Sequence, residues 1–280
     1  MAKWIRSPWN PRFMEQSPLL FHPLSVAATN FVRHDQWPDL DDYNALINLC
    51  DPVVRSEIGV PISFVEQDGP PASWQKEYEP RIFLDGEVQT RCENWHDFFQ
   101  VLVWYSMPKT KSTLNALHFE SIERRKADDP NNKTRSSIEN ALTQFDECGA
   151  IVTSSDPSLL DMIENFDWKT LFWEHRESTQ QRLRCFCFGH AIYEKALNPY
   201  PGLTAHSILL PTAESFNRKP LQQQLKYLDA AISKKLATLE IQTPRDFAPF
   251  PLLGMPGWVS ENQQESYYDN TDYFRPGRRS

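Results

Sequence analysis

The sequence predicts an α+β fold of mixed helices, short strands and hairpins, with proline-rich N- and C-terminal arms packed on the core. Helical and strand-like segments follow one another without the regular alternation that a doubly wound sheet requires. The 22 prolines cluster toward the ends, at Pro8, Pro11, Pro18 and Pro23 and again at Pro244, Pro249, Pro251 and Pro256, where they favour extended backbone. With 280 residues, 40% of them apolar, the chain has material for a substantial core. The reading is a single domain over 1–280, with an extended arm over 1–20 and an irregular strap over 244–280.

Taken in order, a helix is expected from Pro38 to Cys50, opened by Asp39, Asp41 and Asp42, which suit the positive end of a helix dipole. Arg81 to Thr90 reads as a β-hairpin around Asp85-Gly86, a dipeptide that suits a type I′ turn. Asn94 to Asp97 has the form of a helix cap, and the run Phe98 to Tyr105 has only Gln100 as a polar interruption, which predicts a buried helix. Pro108 ends it and opens a second helix through Lys126, with Leu114, Leu117 and His118 inward. Residues 128–133 form a loop. Ala141 to Thr153 is expected as strand, turn and strand, with Asp146-Glu147 near the tip. Helices over Pro157 to Asn165 and Trp168 to Arg176, a strand over Leu183 to Phe188, a helix over His190 to Leu197, a strand over Ala205 to Leu210 and a helix over Leu221 to Leu236 complete the set. Between Pro251 and Trp258, closely spaced Pro and Gly bar a helix or central strand, so an irregular strap with Trp258 buried is expected.

Composition excludes several classes. No apolar run approaches the length of a membrane span, and mean hydropathy is −0.57. No export signal is apparent at the N-terminus. A net charge of −8 argues against general nucleic-acid binding. Only nine glycines are present, and no G-x-G-x-x-G, P-loop or G-x-S-x-G occurs, which removes support for dinucleotide, P-loop and hydrolase-elbow chemistry. Five cysteines, an odd count without secretory context, point to reduced thiols and a cytoplasmic location.

The candidate catalytic residues are His96, Asp97, Asp146, Glu147, His190 and Glu194, all at expected element ends. Imidazole and carboxylate together suit a divalent metal such as Zn, Mn or Mg. His190 and Glu194, four apart on one helix face, and His96 would ligate it, with Asp146 or Glu147 as ligand or general base. Against this, capping explains Asp97, the first turn of its helix explains His190, and a polar turn explains Asp146-Glu147. The cluster also lacks the fixed spacing that makes a metal motif specific. Cys185-x-Cys187-x-x-His190 has the outline of a zinc knuckle, but in a strand the two thiols share one face, as a core stripe requires. Lys109, Thr110, Lys111 and Asn115, at a helix start, form a candidate anion site for phosphate or carboxylate. The aromatics Tyr267, Tyr268, Tyr273 and Phe274 would either strap onto the same chain or dock a protein partner.

The blocks N-W-H-D-F-F-Q-V-L-V-W (94–104), P-K-T-K-S-T-L-N-A-L-H (108–118), L-T-Q-F-D-E-C-G-A-I-V (142–152), G-H-A-I-Y-E-K-A-L (189–197) and P-L-L-G-M-P-G-W (251–258) together resemble a bacterial family, DUF3025. The resemblance brings no activity and no catalytic residues with it. Side-chain chemistry therefore leaves two functions: an intracellular enzyme, such as a metal-dependent hydrolase, or binder of small anions built on the His/Asp/Glu cluster, and a non-catalytic interaction protein using surface aromatics.

Overall fold

The computed structural model describes residues 8–238 and 241–277; the first seven residues of the expected arm and the last three of the strap lie outside them. From residue 8 onward the arm is a chain of helical turns and not extended backbone: Phe13–Gln16 and His22–Leu24 are 3-10 turns, and Pro18–Phe21 is a single α-helical turn. Pro18 is the first and Pro23 the second residue of its turn, where a missing N–H costs nothing and a fixed φ helps. Trp9, Phe13 and Phe21 pack this arm against Trp95, Phe98 and Phe99.

Helix α1 (Leu40–Ile47) starts at Asp39, whose carboxylate accepts the Asp42 N–H while Asp42 reciprocates in a capping box. Strand β1 (Ser63–Glu66) follows. The expected hairpin at 81–90 is replaced by helix α2 (Tyr78–Asp85) and strand β2 (Glu87–Thr90), which pairs parallel with β1. Asp85-Gly86 acts as a helix terminator: Gly86 lies at φ 73° and its N–H returns to Ile82 O. A left-handed glycine serves a C-cap as readily as a hairpin turn.

Helix α3 (Trp95–Ser106) begins where Asn94 accepts the Asp97 N–H, and α4 (Pro108–Asp128) starts with Pro108. The first half of the strand-turn-strand expected over 141–153 is helical. Helix α5 runs Ser137–Cys148, capped by Ser136, with Ala141, Leu142 and Phe145 buried at helical spacing; only Gly149–Ser154 forms a strand, β3. Asp146 and Glu147 therefore sit on a last helical turn and not at a hairpin tip. Helix α6 (Pro157–Glu164) is followed by the helix expected over 168–176, which starts at Trp168, passes into a π-helical turn, Thr170–Glu174, and continues after His175 as α7 (Arg176–Arg182). Then come β4 (Leu183–Cys187), α8 (His190–Ala196), β5 (Thr204–Pro211), α9 (Leu221–Thr238) and β6 (Ala248–Pro251).

The larger sheet has the order β4-β3-β5-β6, with β3 antiparallel to β4 and parallel to β5. Every residue of β3 is buried, as expected of a strand covered on both faces. Cys185 and Cys187 are buried, and all five cysteines are free thiols. The strap includes an edge strand, β6, where prolines are tolerated because no further strand needs their N–H. Leu252, Leu253 and Met255 are buried, whereas Trp258 is only half-buried on the core. Tyr268, Tyr273 and Phe274 are buried too. The Tyr273 hydroxyl donates to Leu203 O (2.8 Å) and accepts the Leu253 N–H (2.9 Å). One apolar cluster runs from Phe13 to Phe274, and no described helix is long and apolar enough to cross a membrane.

Candidate metal centre

Three helix ends meet beside the large sheet. Antiparallel pairing of β3 and β4, with Ala150 opposite Cys187, brings the residues just before β3 beside those just after β4. The Gly149 carbonyl accepts from both Phe188 and Gly189 N–H (2.9 Å each). Glu147, on the last turn of α5, thus faces His190, the first residue of α8. The approach is close enough to need a glycine: a Cβ on residue 189 would lie 2.4 Å from Glu147 O and Gly149 N. Helix α3 packs across α8 through Phe99 and Tyr193 and delivers His96 from its first turn.

The Nε2 atoms of His96 and His190 are 2.9 Å apart, and Glu147 Oε2 lies 3.8 Å from the first and 3.7 Å from the second. His96 Nδ1 donates to Glu194 Oε2 at 3.1 Å. A carboxylate can only accept, so this bond places the His96 proton on Nδ1 and turns the Nε2 lone pair toward His190 and Glu147. His190 Nδ1 faces Asp146 Oδ2 at 3.6 Å, too long for a hydrogen bond. Asp146 Oδ1 is held by Lys111 Nζ at 2.5 Å, and that ammonium also lies over the Trp104 ring.

Environment separates the two imidazoles. Burial drives the His190 pKa down to about 3, so it is neutral at pH 7. Burial also opposes charge on His96, but the Glu194 hydrogen bond and the nearby carboxylates outweigh it and raise its pKa. Burial raises Glu147, with His96 opposing. For Asp146 the desolvation that would raise its pKa is overcome by Lys111 and His190, and the pKa falls.

The six candidate catalytic residues do not all converge. His96, His190 and Glu147 present ligand atoms to one point, and among the described residues they form a group of side chains able to hold a metal ion. Glu194, expected as a ligand, instead stands behind His96. Asp146 stands behind His190. Asp97 is turned away and accepts Arg91 N, Nε and Nη2 at 2.6, 2.9 and 2.7 Å. The expected anion site is filled by the chain itself: the Lys109 and Thr110 N–H groups donate to the Asp229 carboxylate at 3.1 and 2.8 Å, Lys111 pairs with Asp146, and Asn115 donates to Glu79. Exposed amides at a helix start do attract an anion, but here α9 supplies it. No sequence signal links positions 109 and 229.

A cleft of about 490 Å³ opens from the cluster and runs along α5, its walls including Tyr78, Arg91, Gln100, His118, Lys133 and Arg135. That volume suits a small-molecule ligand. Fold and site together define a helix-rich α+β protein with two imidazoles and a carboxylate at the end of a polar cleft. The family model described as "Protein of unknown function (DUF3025)" matches residues 62–278, and the chain belongs to that family. All residues of the cluster and of the cleft walls named above fall within the match. No curated protein and no solved structure matches the chain.

Proposed function

We propose that the protein is a divalent-metal-dependent hydrolase whose ion is held by His96, His190 and Glu147. The observation that carries the reading is the size of the ligand triangle. Sides of 2.9, 3.7 and 3.8 Å leave a point about 2.0 Å from all three atoms, the length of Zn–N and Zn–O bonds. Three protein ligands leave at least one coordination position for water facing the cleft, as catalytic sites require. Such an ion would supply Lewis acidity and a water acidified to near neutral pH. Glu194 keeps the Nδ1 proton on His96 and so fixes its ring, as outer carboxylates do for metal-bound histidines. His190 is neutral, so ligation costs it no net proton: the proton that its Nε2 turns toward His96 in the absence of an ion would move to Nδ1, on the side of Asp146. Asp146, kept ionised by Lys111, lies behind it.

The aromatic-interface alternative loses its main residues, since Tyr268, Tyr273 and Phe274 pack against the chain's own core. Free thiols at all five cysteines support a reducing compartment, the cytoplasm, for the reaction. Elemental analysis after dialysis against Zn, Mn or Mg tests the site. One equivalent of metal is expected in the wild-type protein, with loss in His190→Ala and Glu147→Gln; a wild-type protein that retains none of the three ions refutes it.

A further inference from the structure

The far end of the cleft carries charge that the fold does not use. The loop between α4 and α5 is held in place by cations of α4: Arg125 Nη1 donates to Asn132 O at 2.5 Å, and Lys126 Nζ donates to the same oxygen at 3.0 Å and to Pro130 O at 3.3 Å. Arg125 also clamps Glu139 through Nε and Nη2, at 2.7 and 3.0 Å. The loop presents Lys133 and Arg135 to the cleft wall. The other basic residues of the wall, Arg91 and Arg125, are paired with Asp97 and Glu139. Among the acids near this end, Glu79 is engaged by Asn115, and Glu77 lies in the field of Arg125. Lys133 and Arg135 have neither an ion pair nor a side-chain hydrogen bond among the described residues. They are exposed and lie on an anchored loop.

Helix α5 measures the distance to the cluster. Glu139, beside the loop, and Glu147, in the cluster, are eight residues apart on one helix, or about 12 Å at 1.5 Å per residue. We infer that the substrate is an elongated anion, its phosphate or carboxylate held by Lys133 and Arg135 and its hydrolysable bond at His96, Glu147 and His190, about 12 Å away. This inference rests on the metal-site reading for the chemistry at the second end, while the anion-binding end stands on its own residues. A guanidinium and an ammonium on one anchored loop supply the forked and point-charge contacts that oxyanions accept.

The full-length protein is titrated calorimetrically with pyrophosphate and with citrate, in zinc-loaded wild type, in Lys133→Gln/Arg135→Gln and in His190→Ala. At least one anion should bind the wild type and weaken about tenfold or more in the double variant, given the usual strength of charged hydrogen bonds. Zinc content and melting temperature should stay unchanged in that variant. Preference for pyrophosphate assigns a phosphoryl source, and preference for citrate a carboxylate one. His190→Ala should lose zinc yet keep the anion affinity. Equal affinity in the wild type and double variant, binding that disappears with zinc in His190→Ala, or no binding of either anion overturns the inference. Anion binding that depends on Lys133 and Arg135 in a protein retaining no metal refutes the hydrolase reading alone.

Discussion

Replacing Gly189 by alanine should separate the cluster from the fold. The glycine has an ordinary φ, so its need is spatial: a Cβ would stand 2.4 Å from Glu147 O, 2.4 Å from Gly149 N and 2.5 Å from Cys148 N. All three are backbone atoms in the junction between α5 and β3, and none can swing aside as a side-chain tip could. Ordinary contact begins near 3.4 Å, so the start of α8 must retreat by about 1 Å, carrying His190 with it. Metal bond lengths tolerate only about 0.2 Å, whereas overpacking of this kind costs about 1–3 kcal/mol of stability. The expected result is a folded variant with a moderately lowered urea midpoint and zinc affinity at least about tenfold weaker, since displacements of this size commonly cost a hundredfold in function. Competition with a chromophoric chelator measures the affinity, and urea unfolding of metal-free protein measures the stability. Wild-type zinc affinity in a destabilised Gly189→Ala would show that the close approach of α8 to α5 does not set the ligand geometry.

Lys111→Met should destabilise the protein by about 3–5 kcal/mol, because it leaves the Asp146 carboxylate buried without its cation, and adding Asp146→Asn should recover much of the loss; urea midpoints decide, and a single variant within about 1 kcal/mol of wild type contradicts the pairing. In metal-free protein the two histidines should give a stability maximum near pH 6.5, their ordinary value. His190, depressed to about 3, contributes above 6.5 and loses its contribution as pH falls from 6.5 toward 3, because the unfolded chain takes up the proton first. His96, raised, contributes below 6.5 and loses its contribution as pH rises through its folded value. His190→Gln should flatten the acid limb, and an unaltered limb refutes the assignment. Limited proteolysis should leave one stable fragment spanning the core; two independently folding halves split between 128 and 134 would contradict a single domain.

Local rules made most elements legible and made their mutual placement illegible. Asp39, Asn94, Pro108 and Gly189 marked helix starts within a residue or two because caps and breakers act on their immediate neighbours. Residues 81–90 misled because a glycine at positive φ serves two turn types, and the partner of β2 lies upstream in β1 and not across a hairpin. Leu142 to Phe145 misled because a four-residue window cannot separate a helical stripe from a strand; the buried set Ala141, Leu142 and Phe145 carries the helical period. His96 and His190 were readable as ligands and Glu147 as ligand or general base, and these three side chains converge; that Glu194 stands behind His96 and Asp146 behind His190 was not readable. Exchanging Glu147 with Glu194 as the third ligand depends on how far α8 slides against α5, which β3–β4 register and Gly189 decide. Asp229 was invisible for the same reason: its partners at 109 and 110 are 120 and 119 residues away.

That long-range cap also orders events during synthesis. At the roughly 5–20 residues per second of translation, Lys109 and Thr110 leave the ribosome on the order of ten seconds before Asp229 exists. Until then the start of the longest described helix has only water for those two amides, and its seam with α9 is open. The three side chains proposed to hold the ion, all made by residue 190, can meet earlier. A nascent chain can therefore bring His96, Glu147 and His190 together before the segment that locks the neighbouring helix has been made, and an ion bound at the proposed site would steady the half-built protein while it waits.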